Sequence, residues 1–273
     1  MRLIACGALV VLAGCASFPR RLDYFAERSE AMNGATMEYA VYAPRGHTSG
    51  DALPLVVFLH GGGDSHDAFD RHGISRRLDE AIDAGRVPPA VILLPNGDFG
   101  FWLNWHDGSR RYEDWVVEEL MPLVASDYGT SSCPEHCHVM GVSMGGAGAL
   151  MFAHHRPDRF STVTAISGPV MDTDGMVRFA SDRLLSIFIP MHRIFGPLDD
   201  RERIERNDLF LRWTSPEATR LSSIVLAWGT RDREPIVRGS RAFSRHLREH
   251  EIPHEAWEYE GGHAWVAWAP IIE

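Results

Sequence analysis

Two kinds of hydrophobic pattern alternate along the chain, and the alternation itself predicts a fold class. Residues 37–43 switch between apolar and polar positions, as a strand with one covered face does. Residues 53–59 and 90–94 are instead nearly continuous apolar runs, the first carrying Val-Val-Phe, as expected of strands buried on both faces. Between them Ile74, Leu78 and Ile82 recur at helical spacing within 69–84, which stops at Gly85. A second helix is predicted over 112–128 from Val116, Leu120, Leu123 and Val124, with Pro122 expected to bend or divide it. Short strands at 138–142, 162–166, 223–228 and 254–259 follow. Helices at 144–155 and 235–250 are interleaved with them, and one at 265–272 closes the pattern. Such a rhythm implies a mostly parallel sheet covered by helices on both faces.

One stretch breaks the rhythm. Residues 168–221 hold no clear buried strand, only two helical patterns at 176–189 and 201–213 separated by Phe195-Gly196-Pro197. Long excursions from an α/β sheet form a lid or a wall of a binding site, or simply cover core.

The first residues read differently from the rest. Met1-Arg2 precedes the apolar run Leu3 to Leu12 and then Ala13-Gly14-Cys15, the layout of a secretory signal over 1–14. Leu12-Ala13-Gly14-Cys15 looks like a bacterial lipobox, which makes Cys15 the lipidation site and the mature N-terminus; the alternative is a plain cleaved signal. Residues 15–30 then read as lipidated terminus and polar tether, and 31–273 as the folded domain. Lipid chains hold such a domain at a membrane surface without inserting it. Location in the cell envelope, on the periplasmic or extracellular face, is the corresponding expectation.

Of the four cysteines, Cys6 lies in the signal and Cys15 carries lipid, which leaves Cys133 and Cys137. In an oxidising compartment that pair is expected as a disulfide. A zinc site with His136 and His138 is the alternative, but all four groups crowd into six residues with no second pair of ligands. Acidic residues outnumber Lys plus Arg by 37 to 27, a net charge of −10, which argues against nucleic acid as a partner.

The chemistry is carried by Gly141-Val142-Ser143-Met144-Gly145, a G-x-S-x-G pattern placed between a short strand and a Gly/Ala-rich helix. A serine on such a turn is thrust outward, and small neighbours give it clearance. Ser143 is therefore the candidate nucleophile. A hydroxyl needs a base, and His263 follows Gly261-Gly262 between the last strand and the last helix. The acid is expected after the strand 223–228, where Asp232 is first choice and Glu234 the next carboxylate. Met144 supplies one oxyanion donor, and His60-Gly61-Gly62-Gly63 occupies the place of the other. Gly62 is the first choice there, with Gly61 and Gly63 as alternatives. Phe99, Phe101, Trp102, Trp105, Trp265 and Trp268 lie near the expected mouth, as stacking surfaces or as core.

These segments, with Trp105-His-Asp-Gly108, Arg111-Tyr-Glu-Asp-Trp115 and Ser215-Pro216, resemble an esterase family. Its members include esterase D, feruloyl and acetylxylan esterases and the mycobacterial mycolyltransferases. The resemblance spans 37–268. It implies an α/β-hydrolase fold and a Ser143-Asp232-His263 triad that works without metal or cofactor. It also implies a small-molecule or glycan-linked ester as substrate. Serine carboxylesterase is the expected activity. An envelope acyltransferase and a non-catalytic ligand-binding shell are the rivals.

Overall fold

The computed structural model describes residues 21–273. The expected signal peptide and Cys15 lie outside the described residues.

Eight strands form one sheet: β1 Asp23–Ser29, β2 Ala35–Tyr42, β3 Leu55–Leu59, β4 Val91–Pro95, β5 Cys137–Val142, β6 Thr162–Ile166, β7 Ser223–Gly229 and β8 Glu255–Tyr259. Their order is β1-β2-β4-β3-β5-β6-β7-β8. β1 and β2 are antiparallel to their neighbours, and every pairing from β4 through β8 is parallel. This is the mostly parallel sheet that the alternating pattern implies, in the α/β-hydrolase arrangement that the family resemblance implies. β3 and β4 show why their runs lack alternation: apolar clusters pack on both faces, so successive residues are covered alternately by one and the other. Among the described residues no helix is long and apolar enough to cross a membrane.

Four expectations are corrected by the structure. Residues 23–29, expected as the end of a tether, are the edge strand β1. Its alternation is weak because most of its residues stay accessible. Buried Asp70 ties its start down, with Oδ2 accepting the Arg21 N–H (2.9 Å), the Leu22 N–H (3.2 Å) and the Tyr24 hydroxyl (2.9 Å). The helix expected over 69–84 is split into Ala68–Arg71 and Ile74–Asp83 at Gly73, whose φ of 72° no helix tolerates. Over 112–128 the helix is not divided. It widens into a π-helical stretch, Trp115–Leu120, just before Pro122, which has no N–H for the ladder and whose ring crowds the preceding turn.

The excursion is likewise built from short pieces rather than two long helices. Thr173–Ala180, Met191–Phe195, Arg201–Glu205 and Leu209–Arg212 are its α-helices. Asp172, Asp200 and Asp208 each cap a new start by accepting a backbone N–H, and Pro190 and Gly196-Pro197 stop what precedes. A small cluster of its own, Ile189, Met191 and Ile194, packs these pieces on Phe101, Leu103 and Trp105. Cys133 and Cys137, the latter the first residue of β5, are joined by a disulfide.

Candidate active site

Parallel strands end on one edge of a sheet, and loops leaving that edge converge. Ser143 follows β5, Ser167 follows β6, Asp232 follows β7, His263 follows β8, and the glycine run follows β3.

Ser143 sits at φ 55° and ψ −121°, a conformation costing about 1–3 kcal/mol for a residue with a side chain. The turn is held by the Ser143 N–H, which donates to Ile166 O at 2.9 Å. Its flanking glycines are required by contact. A Cβ on Gly141 would lie 2.3 Å from Gly145 O, and one on Gly145 would lie 1.9 Å from Leu59 O. The helix Met144–His155 can thus start directly against β3 and β5.

Two hydrogen bonds join residues far apart in the chain. Ser143 Oγ lies 2.7 Å from His263 Nε2, and His263 Nδ1 lies 2.8 Å from Asp232 Oδ1. The carboxylate has no proton to give, so Nδ1 carries the hydrogen, Nε2 is the acceptor, and Ser143 donates. The Asp232 side chain is fully buried and that of His263 nearly so. Burial pushes the Asp232 carboxyl up. Hydrogen bonds from His263, from the Ser167 hydroxyl and from the Arg233 N–H outweigh it and hold the group below its usual range. Glu234, the other carboxylate considered, instead opens the helix Glu234–Glu249 and pairs with Arg238 at 3.0 Å. Trp268 stands edge-on to the His263 ring at 4.9 Å and limits water on that side.

Met144 is the first residue of its helix, so its N–H has no carbonyl one turn back to bond. Gly61 packs directly on Ser143: a Cβ there would sit 3.2 Å from Ser143 Cβ. A Cβ on Gly62 would meet the Phe99 ring at 3.1 Å, with Met144 Sδ at 3.9 Å, and Gly63 has a φ of 83°. The run as a whole therefore lies beside Ser143 and Met144.

Ser167 and Tyr259, which the sequence did not single out, and His60, which it gave only as the start of the glycine run, lie beside these residues. His60 is buried; its Nε2 accepts the Gly97 N–H at 2.9 Å, so its Nδ1–H is the donor to Gly61 O at 2.8 Å. Burial lowers its basicity, so the ring stays neutral. In a trans peptide the carbonyl and the next N–H point opposite ways. Fixing Gly61 O therefore fixes where the Gly62 N–H points. The adjoining glycines advertised a loop and hid its anchor. Of the aromatics expected as stacking surfaces or as core, Trp102 is fully buried and donates to His60 O at 3.2 Å, so it belongs to the core.

The family profile described as "Putative esterase" matches residues 29–272. An esterase of Mycobacterium tuberculosis is 28% identical over 236 residues, covering 79% of this chain and 50% of the relative. The chain thus spans about half the length of that relative. Among solved structures, a fluorophosphonate-binding serine hydrolase of Staphylococcus aureus superposes with a TM-score of 0.76 at 19% identity, covering 92% of this chain and 94% of the other. MPT51 of Mycobacterium tuberculosis superposes with a TM-score of 0.71 at 18% identity, covering 93% and 96%. At these identities the superpositions speak for the fold.

Proposed function

From the premise that this chain belongs to the "Putative esterase" family, we propose that it is a serine carboxylesterase working through an acyl-enzyme on Ser143. The observation that carries the reading is the unbroken hydrogen-bond line from Ser143 through His263 to buried Asp232.

His263 Nε2 takes the hydroxyl proton as Ser143 Oγ attacks the ester carbon. Positioned general-base help of this kind is worth about 10²–10⁴ in rate. The carbonyl oxygen becomes an oxyanion received by the N–H groups of Met144 and Gly62, each such donor contributing roughly 3–4 kcal/mol to the transition state. Asp232 keeps the Nδ1–H tautomer in place and stabilises the imidazolium. When the tetrahedral intermediate collapses, the carbon–oxygen bond to the alcohol breaks and His263 returns the proton to that oxygen. Water, activated by the same imidazole, then attacks the acyl-enzyme and releases the acid and Ser143.

Ser143→Ala is the test. Turnover of an aryl acetate should fall by about 10⁴-fold or more, and covalent labelling by a fluorophosphonate should disappear. Undiminished turnover or labelling in the purified variant overturns the assignment. We further propose that the domain is tethered at the cell envelope through lipid on Cys15, on the strength of the lipobox-like tetrad ending there.

A further inference from the structure

Beside Met144 and walled in part by the excursion is a cavity of about 110 Å³. Its wall is drawn from three places: Phe101 after β4, Met144 and Met151 on the helix after Ser143, and Met176, Phe179 and Phe195 from the excursion. Arg203 and Asn207 are the only polar side chains lining it; the buried Arg203 Nε has no hydrogen bond and lies 3.5 Å from Asp200 Oδ2, while Arg203 Nη2 and Asn207 Oδ1 are bonded. Arg203 Nη2 donates to Pro197 O at 2.8 Å, and Asn207 Oδ1 bonds His155 Nε2 at 2.9 Å. Protein interiors rarely leave apolar space of this size unfilled.

The stereochemistry of the reaction says which part of an ester points there. The attacked carbon carries four groups: Ser143 Oγ, the oxyanion, the leaving alcohol and the acyl chain. The oxyanion lies on the N–H groups of Met144 and Gly62, and the alcohol must face His263 to receive its proton. No residue of the loops bearing Asp232 and His263 lines the cavity, whereas Met144 does. The cavity is therefore on the side left for the acyl chain.

Its shape also selects among acyl chains. Phe101, Phe179 and Phe195 meet one another at interplanar angles of 73°, 58° and 89°, so no two of them form a parallel slot for an aryl ring. The methionines are unbranched and adaptable, and they conform to a flexible chain.

We propose that this cavity is the acyl subsite and takes an unbranched aliphatic chain of several carbons; the proposal rests on the serine-esterase reading. With the aryl leaving group held constant, kcat/KM should rise from acetate through butyrate to hexanoate. Each fully buried methylene is worth about fourfold, so at least about tenfold overall is expected. Ala180, at the end of the excursion helix Thr173–Ala180, lines the cavity and is no part of the triad. Ala180→Phe should lower kcat/KM for hexanoate about tenfold or more and leave acetate within about twofold. Met176→Ala, which enlarges the space, should move the optimum to longer chains. A flat chain-length profile, or an equal loss for acetate and hexanoate in Ala180→Phe, overturns the proposal. A binding measurement separates this result from failure of the catalytic reading. Methyl hexanoate titrated calorimetrically into Ser143→Ala should bind, and binding should vanish when Ala180→Phe is added. Binding without any turnover of acetate by the unmodified protein would sink the esterase reading and keep the subsite. Turnover of acetate without binding of hexanoate would do the reverse.

Discussion

Ser167 Oγ has one proton and two lone pairs, and the site uses all three. It donates to Asp232 Oδ2, and it accepts from the Tyr259 hydroxyl and, at 3.1 Å, from Trp268 Nε1. Burial raises the Tyr259 pKa, so that phenol stays protonated and remains a donor. The carboxylate is thereby held from both oxygens, Oδ1 by His263 and Oδ2 by Ser167. In the proposed mechanism Ser167 acts through Asp232, as a positioning residue. Ser167→Ala should lower kcat about tenfold, the scale of one hydrogen bond to a charged group, with KM unchanged. Tyr259→Phe should have a smaller effect in the same direction. An unchanged kcat, or a rise in KM alone, would remove Ser167 from the catalytic line. Nothing in the chain flags this serine. It has no motif, and its left-handed φ of 50° and its partners from β7, β8 and the last helix exist only once the sheet has formed.

At the scale of elements, the helix that follows Ser143 is anchored at its far end by Glu113. This buried carboxylate accepts from Arg156 Nε (2.6 Å) and bonds His155 Nδ1 (2.7 Å), clamping the start of the 112–128 helix to the end of Met144–His155. Breaking a buried pair from one side costs roughly 3–5 kcal/mol. Arg156 is part-exposed and keeps Asp114 and Glu118, so Glu113→Gln should cost about 2–3 kcal/mol in urea unfolding at constant m. Burial lowers the His155 pKa, but the hydrogen bond and charge of Glu113 outweigh it, and the net shift is upward. A raised folded-state pKa stabilises fully below the unfolded value of about 6.5 and is lost as pH rises through the folded one. Unfolding free energy should therefore contain a component that declines above about pH 6.5. Glu113→Gln and His155→Gln should each abolish it; its persistence in both would reject the clamp. Helices 144–155, 235–250 and 265–272 were legible because their patterns are long and their ends marked. The split at Gly73 and the fragments of the excursion were not, because single caps and turns decide them.

Over the whole molecule, the loops from β3, β5, β6, β7 and β8 leave the C-terminal ends of the parallel strands, and β1 runs in the same direction as those strands, so the chain enters it from the other end of the sheet. A tether entering through β1 would leave the loop-bearing edge free to meet substrate. If Cys15 carries the anchor, mass spectrometry of the mature protein should find a diacylated Cys15 at its N-terminus, and Cys15→Ser should release the protein from membranes. An unmodified N-terminus or an uncleaved leader would end the proposal. The sequence by itself determined the succession of strands from β2 to β8, the helices 144–155, 235–250 and 265–272, and the chain order of Ser143, Asp232 and His263. Period, punctuation and motif spacing are local properties, and they survive in the unfolded chain. Only the tertiary structure decided that His60 aims the Gly61-Gly62 peptide, that Ser167 holds the second oxygen of Asp232, and that an apolar cavity lies beside Met144. Each of these joins segments remote in sequence, and such contacts exist only after the parallel strands have brought their ends to a common edge.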